Sequence, residues 1–249
     1  MQEINIGKLN KLDYSSNEAY KSLRTNLEFC GKEVKVIGIT SCIPNEGKSS
    51  VAINIARSFA ESGKKVLLID SDMRKSVMVG RYRISSKGLN GLSHLLSGYR
   101  EVDEVMCETN IENFYMLLSG PTPPNPSELL GNSRFKLFIK TAREYVDYII
   151  IDCPPLGSVI DAAVISKVCD GMALVLSSNE ISYKFAQNVK AQLEKTDCKI
   201  LGVILNKVRM RENGYYYGKY YGKYYGKYYG SYYGKPEDKK IKSLYANSK

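Results

Sequence analysis

The sequence predicts an α/β fold, a mostly parallel sheet with helices on both faces, followed by a flexible tyrosine-rich C-terminal tail. Three observations predict it. Short apolar runs alternate with stretches of helical periodicity, which is how strands buried on both faces and their crossover helices read. The 249 residues and 43 % hydrophobic content suit one core-bearing domain with extensions. After Asn206 the apolar pattern stops, and residues 216–235 are five tandem Tyr-Tyr-Gly-(Lys/Ser) units without an aliphatic residue.

Residues 1–14 are polar and read as an N-terminal arm. Ser15 and Glu18 then offer a capping box, and Tyr20, Leu23 and Leu27 follow at helical spacing, so a helix is expected to about Phe29. Val34–Thr40 is a short buried strand; a helix runs from Gly47 to about Ser62 and ends at Gly63. Lys65–Asp70 is the next strand. The stretch 76–113 is helical in pieces, with Leu92, Leu95 and Leu96 on one side, and Phe114–Leu118 is a strand. Four prolines between 121 and 126 forbid regular structure until Ser127 caps a helix to about Tyr145. Asp147–Asp152, Met172–Ser177 and Ile200–Leu205 are strands, separated by helices near 160–168 and 182–196. The expected domain is therefore 15–206, and the tail 207–249.

The formal charge of +10 is uneven: residues 207–249 hold eleven Lys/Arg against three Asp/Glu, so the domain itself is nearly neutral. Six cysteines stand singly with no CxxC, which disfavours structural zinc and iron–sulfur clusters and fits reduced thiols in the cytoplasm. There is no secretory signal, and no apolar run approaches the roughly 18 residues that span a bilayer. The single histidine, His94, sits in a leucine-rich patch and reads as structural.

The chemistry concentrates between a strand and a helix, at Pro44, Asn45, Glu46, Gly47, Lys48, Ser49 and Ser50. A helix N-terminus presents free N–H groups and partial positive charge to an anion. Gly47 permits a tight turn around phosphates, Lys48 can reach β- and γ-oxygens, and the Ser49 hydroxyl can ligate Mg²⁺. The general phosphate-loop pattern has a glycine where this chain has Cys42. Two acidic strand ends complete the constellation. Asp152 closes Tyr-Ile-Ile-Ile and precedes Cys-Pro-Pro, while Asp70 closes Val-Leu-Leu-Ile and is followed by Asp72 and Arg74. In a parallel sheet, ligands bind beyond the carboxyl ends of the strands, so these carboxylates should meet Ser49.

In these motifs the chain resembles the bacterial tyrosine kinases of capsule and exopolysaccharide synthesis, which have a P-loop NTPase fold of the MinD/ParA kind. The resemblance rests on Pro44–Ser49, on Leu67–Arg74 with its Asp-x-Asp-x-Arg, and on Ile149–Pro155. It extends to Pro123–Leu130, Gly91–Ser93 and Leu96–Gly98. It implies that Lys48 and the loop amides hold ATP, with Arg74 and Asn206 also at the nucleotide. Ser49 with one or both of Asp70 and Asp152 would hold Mg²⁺. Asp70 or Asp72 would orient the acceptor tyrosine and take its proton, the two roles remaining undivided. The family's Glu-x-x-Arg-x-x-Arg ring element reads here Glu18, Lys21 and Arg24, where lysine keeps the charge but loses the bidentate fork. The resemblance thus implies a homo-oligomeric ring. It also implies a membrane-anchored activator of the polysaccharide co-polymerase type, recruiting the chain to the inner face of the membrane, and a cognate tyrosine phosphatase.

The tail supplies acceptors: Tyr215, Tyr216, Tyr217, Tyr220, Tyr221, Tyr224, Tyr225, Tyr228, Tyr229, Tyr232 and Tyr233. An exposed phenol on a flexible arm can enter a neighbouring active site, and each phosphate adds about −1.5 to −2 charges, enough in number to reverse the tail's sign. A basic, aromatic repeat can also bind single-stranded nucleic acid, a reading the kinase-like domain disfavours. The competing function is a ParA/MinD-like positioning ATPase. Its signature lysine early in the phosphate loop is missing at Ser41, Cys42 and Ile43.

Overall fold

The computed structural model describes residues 1–9, 11–85 and 88–208. In chain order the strands among them are β1 (Gln2–Ile4), β2 (Val36–Ser41), β3 (Val66–Asp70), β4 (Cys107–Thr109), β5 (Phe114–Leu117), β6 (Tyr148–Asp152), β7 (Gly171–Ser177) and β8 (Ile200–Asn206). They form one sheet in the order β1-β4-β5-β3-β6-β2-β7-β8, parallel at every pairing except β4 with β5.

Two cores follow from the side-chain alternation of these strands. On one face Ile37, Ile39, Leu68, Ile150 and Val175 pack with α1 (Tyr14–Glu28) and α2 (Lys48–Glu61), which contribute Leu27, Ile55 and Phe59. On the other, Val36, Leu67, Ile69, Ile149, Ile151 and Leu174 meet three helices. These are α7 (Ser133–Ala142), α8 (Asp161–Ile165) and α9 (Tyr183–Glu194), contributing Phe135, Ile165 and Leu193. Because β2, β3 and β6 are parallel, Ser41, Asp70 and Asp152 end at the same edge of the sheet.

Four expectations are corrected. The first residues are not merely a polar arm: β1 pairs in parallel with β4, and Ile4 and Ile6 are buried. Burial of two isoleucines, each stabilising by about 1.5–3 kcal/mol, outweighs the polarity of their neighbours. Helix α1 is capped by Asp13, whose carboxylate accepts from Ser16 N–H at 2.7 Å, not by Ser15. The helix expected from Ser127 to Tyr145 is two helices. Pro126 opens α6 (Pro126–Gly131), and Asn132 caps α7 through a bond from Phe135 N–H at 3.0 Å. The stretch 76–113 holds α3 (Met78–Tyr82), α4 (Leu92–Leu96), α5 (Val102–Val105) and also the unexpected β4. His94 is structural as read, its Nδ1 accepting from Gly91 N–H at 3.1 Å. The tail tyrosines, Tyr215 to Tyr233, lie outside the described residues.

Candidate active site

The turn between β2 and α2 is built from within. Asn45 has φ 68° and Gly47, the N-cap of α2, has φ 95°. Asparagine tolerates this left-handed region, but at 47 a Cβ would also come within 2.1 Å of Asn206 Nδ2, so only glycine fits. The fully buried Glu46 accepts from the backbone N–H groups of Cys42 (2.6 Å), Ile43 (2.9 Å) and Ser177 (3.0 Å). Asn206 Nδ2 donates to the Glu46 carbonyl at 2.9 Å, tying the end of β8 to the loop. Cys42 is buried too; burial, then the Glu46 carboxylate, pushes its thiol up to about 12, which leaves it unreactive.

At the head of α2, the Lys48 ammonium lies 3.0 Å from Asp72 Oδ2, 3.5 Å from Asp152 Oδ1 and 3.4 Å from Ser49 Oγ. Burial disfavours charge on Lys48, but Asp152 and Asp72 outweigh it and hold the amine protonated, above its ordinary value. Asp70 and Asp152 are register partners on β3 and β6. Burial, and then the charge of Asp152, pushes the Asp70 carboxyl up to about 7, while the Ser76 hydroxyl donating to its Oδ2 opposes the rise. Burial likewise raises Asp152, and Lys48 and the Ser49 hydroxyl pull it back. Asp72 is fixed by Lys75 N–H, donating to Oδ1 at 3.1 Å.

Three carboxylates thus face one ammonium. Asp152 Oδ1 is buried and accepts no hydrogen bond among the described residues. An acceptor of that kind beside the Ser49 hydroxyl fits a hard divalent cation. Among the described residues, no three His, Cys, Asp or Glu form a metal cage.

Several expected site residues have other partners. The carboxylate of Glu46 is engaged by the amides of Cys42 and Ile43 in the loop and of Ser177 at the end of β7, so its side chain braces the loop. Arg74 Nε and Nη2 donate to the buried Asp161 at 2.7 and 3.0 Å, and Nη2 also reaches Ser127 Oγ at 2.9 Å. That fork clamps the loop after β3 to α6 and α8. The Ser50 hydroxyl accepts from Arg81 Nη1 at 3.0 Å and lies 3.3 Å from Tyr82 Oη. On α1, Lys21 pairs with Glu18 at 2.8 Å, and Arg24 Nη1 donates to Ser58 O at 2.7 Å, so one of the three ring residues also holds α1 to α2. Pro44, Asn45, Lys48, Ser49 and Asn206 do gather at the loop. Asp161, Ser76 and Arg81 were not expected; a lone Asp 87 positions after an Arg carries no sequence signal.

Comparison with known proteins agrees with this geometry. Residues 34–196 match the AAA_31 family, an AAA domain. Tyrosine-protein kinase CpsD of Streptococcus pneumoniae serotype 4 is 45 % identical over 207 residues, covering 82 % of this chain and 91 % of CpsD. The chain belongs to the bacterial tyrosine kinases of the capsule family. The kinase is also similar to tyrosine-protein kinase wzc of Salmonella typhimurium, at 34 % identity across 80 % of this chain but only 28 % of wzc. The kinase domain of Escherichia coli tyrosine kinase ETK superposes with a TM-score of 0.75 at 31 % identity, covering 83 % of this chain and 84 % of that one. The septum site-determining protein MinD of Pyrococcus horikoshii, complexed with Mg-ADP, superposes with a TM-score of 0.59 at 25 % identity over 72 % of each chain. The enzyme is an ATP-dependent tyrosine kinase on a nucleotide-binding P-loop fold. No helix among the described residues is long and apolar enough to cross a membrane.

Proposed function

We propose that this kinase transfers the γ-phosphate of ATP to the tyrosines of its own C-terminal repeat, Tyr215 to Tyr233, on a neighbouring copy, and so regulates capsule or exopolysaccharide synthesis. The observation that carries it is the Lys48 ammonium held between Asp72 and Asp152 at a glycine-capped helix N-terminus. The loop amides and Lys48 bind the β- and γ-phosphates, the lysine exchanging Asp72 for phosphate oxygen. Ser49 with one or both of Asp70 and Asp152 would hold Mg²⁺, which would supply charge neutralisation at the transferring phosphoryl group. Once Lys48 turns to phosphate, Asp72 becomes free to accept a proton. Asp70, raised by burial and already bonded to Ser76, is the second candidate to orient the phenol. Asn206 supports the loop and stands where adenine would be met.

Glu18, Lys21 and Arg24 present charge along α1 for a ring of copies, which brings one tail to the next active site. A separate membrane-anchored activator of the polysaccharide co-polymerase type recruits the kinase from the cytoplasm to the inner membrane face; wzc, far longer than the matching segment, supports a partner region of that kind. A phosphatase resets the tail. The competing reading, a positioning ATPase, is supported by the MinD likeness alone. Incubation with Mg-ATP followed by mass spectrometry decides between them. Phosphotyrosine within 215–233, absent from Lys48→Met, supports the kinase reading; ATP hydrolysis with no phosphotyrosine, even with activator added, supports the ATPase.

A further inference from the structure

A cavity of about 190 Å³ adjoins the first turn of α2, and nothing in the phosphoryl-transfer chemistry uses it. Its walls are apolar at Leu9, Leu12 and the ring of Tyr82, and polar at Ser50 and Asn54. Lys8 and Arg81, both exposed, line it as cations. Neither pairs with a carboxylate among the described residues, and the two stand side by side on one cavity. The site is built, not incidental. Lys8 N–H donates to Tyr82 O at 2.9 Å, and Ile6 bridges Ile84, so the N-terminal segment is strapped onto the segment that follows β3. Arg81 is held at 3.0 Å from Ser50 Oγ, and Ser50 directly follows Ser49 in the phosphate loop.

An apolar slot with two cations that pair with no carboxylate among the described residues, beside a hydroxyl, suits an aryl phosphate: a flat ring below and a dianion above. The kinase makes aryl phosphates, and its own tail carries them in tandem. We propose that this cavity binds a phosphotyrosine of a second copy's tail, beside the active site that made it. The proposal rests on the tail being the acceptor. Its consequence is processivity. A tail anchored through one phosphotyrosine keeps the next Tyr-Tyr pair within one four-residue unit, about 13 Å when extended. The cavity begins one residue from Ser49, within that reach. The unmodified tail, rich in lysine, is repelled by Lys8 and Arg81, so the pocket engages only after the first transfer.

The test uses dephosphorylated full-length protein with ADP and a fluorescent peptide of two Tyr-Tyr-Gly-Lys units, with or without one phosphotyrosine. The phosphopeptide should bind and its unmodified counterpart should not. Arg81→Ala and Lys8→Ala should each weaken binding roughly five- to tenfold, the size of a partly exposed charge-assisted contact, with Arg81→Lys recovering part of it. For Lys8→Ala, ADP affinity and thermal midpoint should stay unchanged; for Arg81→Ala, the midpoint should fall by no more than loss of its bond to Ser50 explains. In time courses of intact mass, the parent should yield multiply phosphorylated chains while unmodified ones persist, and Arg81→Ala a stepwise ladder. Equal phosphopeptide binding by parent and variants would overturn the proposal. So would a fall in ADP affinity matching the peptide loss, since the cations would then serve the nucleotide. Phosphopeptide binding with a tail that never becomes phosphorylated would instead count against the tail as acceptor.

Discussion

Replacing Glu46 by alanine should damage the fold before it damages nucleotide contacts. The carboxylate is 0 % exposed and is the acceptor for three backbone N–H groups, at Cys42, Ile43 and Ser177. Cys42 and Ser177 are themselves buried, so water cannot replace the lost acceptor there, whereas Ile43 is only half-buried. A buried donor left unsatisfied costs roughly 1–3 kcal/mol, which for two such groups gives about 2–5 kcal/mol. In a domain of this size that is a fall of roughly 5–15 °C in the thermal midpoint. Glu46→Gln keeps one carbonyl oxygen and should lose about half as much. The assay is circular dichroism melting without nucleotide, beside titration with a fluorescent ADP analogue. A midpoint within about 2 °C of the parent, together with a collapse in ADP affinity, would refute the scaffold role and return Glu46 to the ligand.

Other perturbations test other parts. Asp70 is raised in the folded protein, so its contribution to stability is present below the unfolded value and lost as pH rises toward 7. Asp70→Asn should therefore stabilise the nucleotide-free fold at pH 8 but not at pH 4, by on the order of 2 kcal/mol, while abolishing kinase activity; urea melts at the two pH values check it, and a pH-independent change would contradict it. Ile4→Ala should cost about 2–4 kcal/mol by leaving β4 without its apolar neighbour, measured by the same melts, whereas a free arm would show no loss. Arg24→Ala should destabilise the monomer by about 1 kcal/mol because Ser58 O loses its donor, and Lys21→Ala should alter only self-association, as sedimentation would show.

Much of this was legible before any coordinates. The strands β2, β3 and β6 are runs of buried aliphatics ending in polar residues, and their parallel pairing brings Asp70, Asp152 and the Gly47–Lys48–Ser49 turn together as the motif spacing implies. What escaped depends on long-range partners. Residues 2–6 look polar because only alternate positions, Ile4 and Ile6, are apolar, and too few of them exist to set a period. The break at Asn132 hides inside a continuous helical pattern, and Ser127, the expected cap, instead donates to Asp161 at 2.5 Å. Glu46 and Arg74 have protein partners that the sequence does not signal. Acid and base side chains beside a phosphate loop look functional, and only the fold reveals that backbone amides and Asp161 have claimed them.

The most direct test of the central claim mixes two defective proteins. One is full-length Lys48→Met, which keeps every tail tyrosine; the other is the parent chain truncated after Asn213, which keeps the site. With Mg-ATP and the activator's cytosolic segment, phosphate should appear on the repeat tyrosines of the Lys48→Met chain only when both are present. No phosphotyrosine in the mixture, while the truncated chain still hydrolyses ATP, would contradict a kinase that acts on its neighbour's tail.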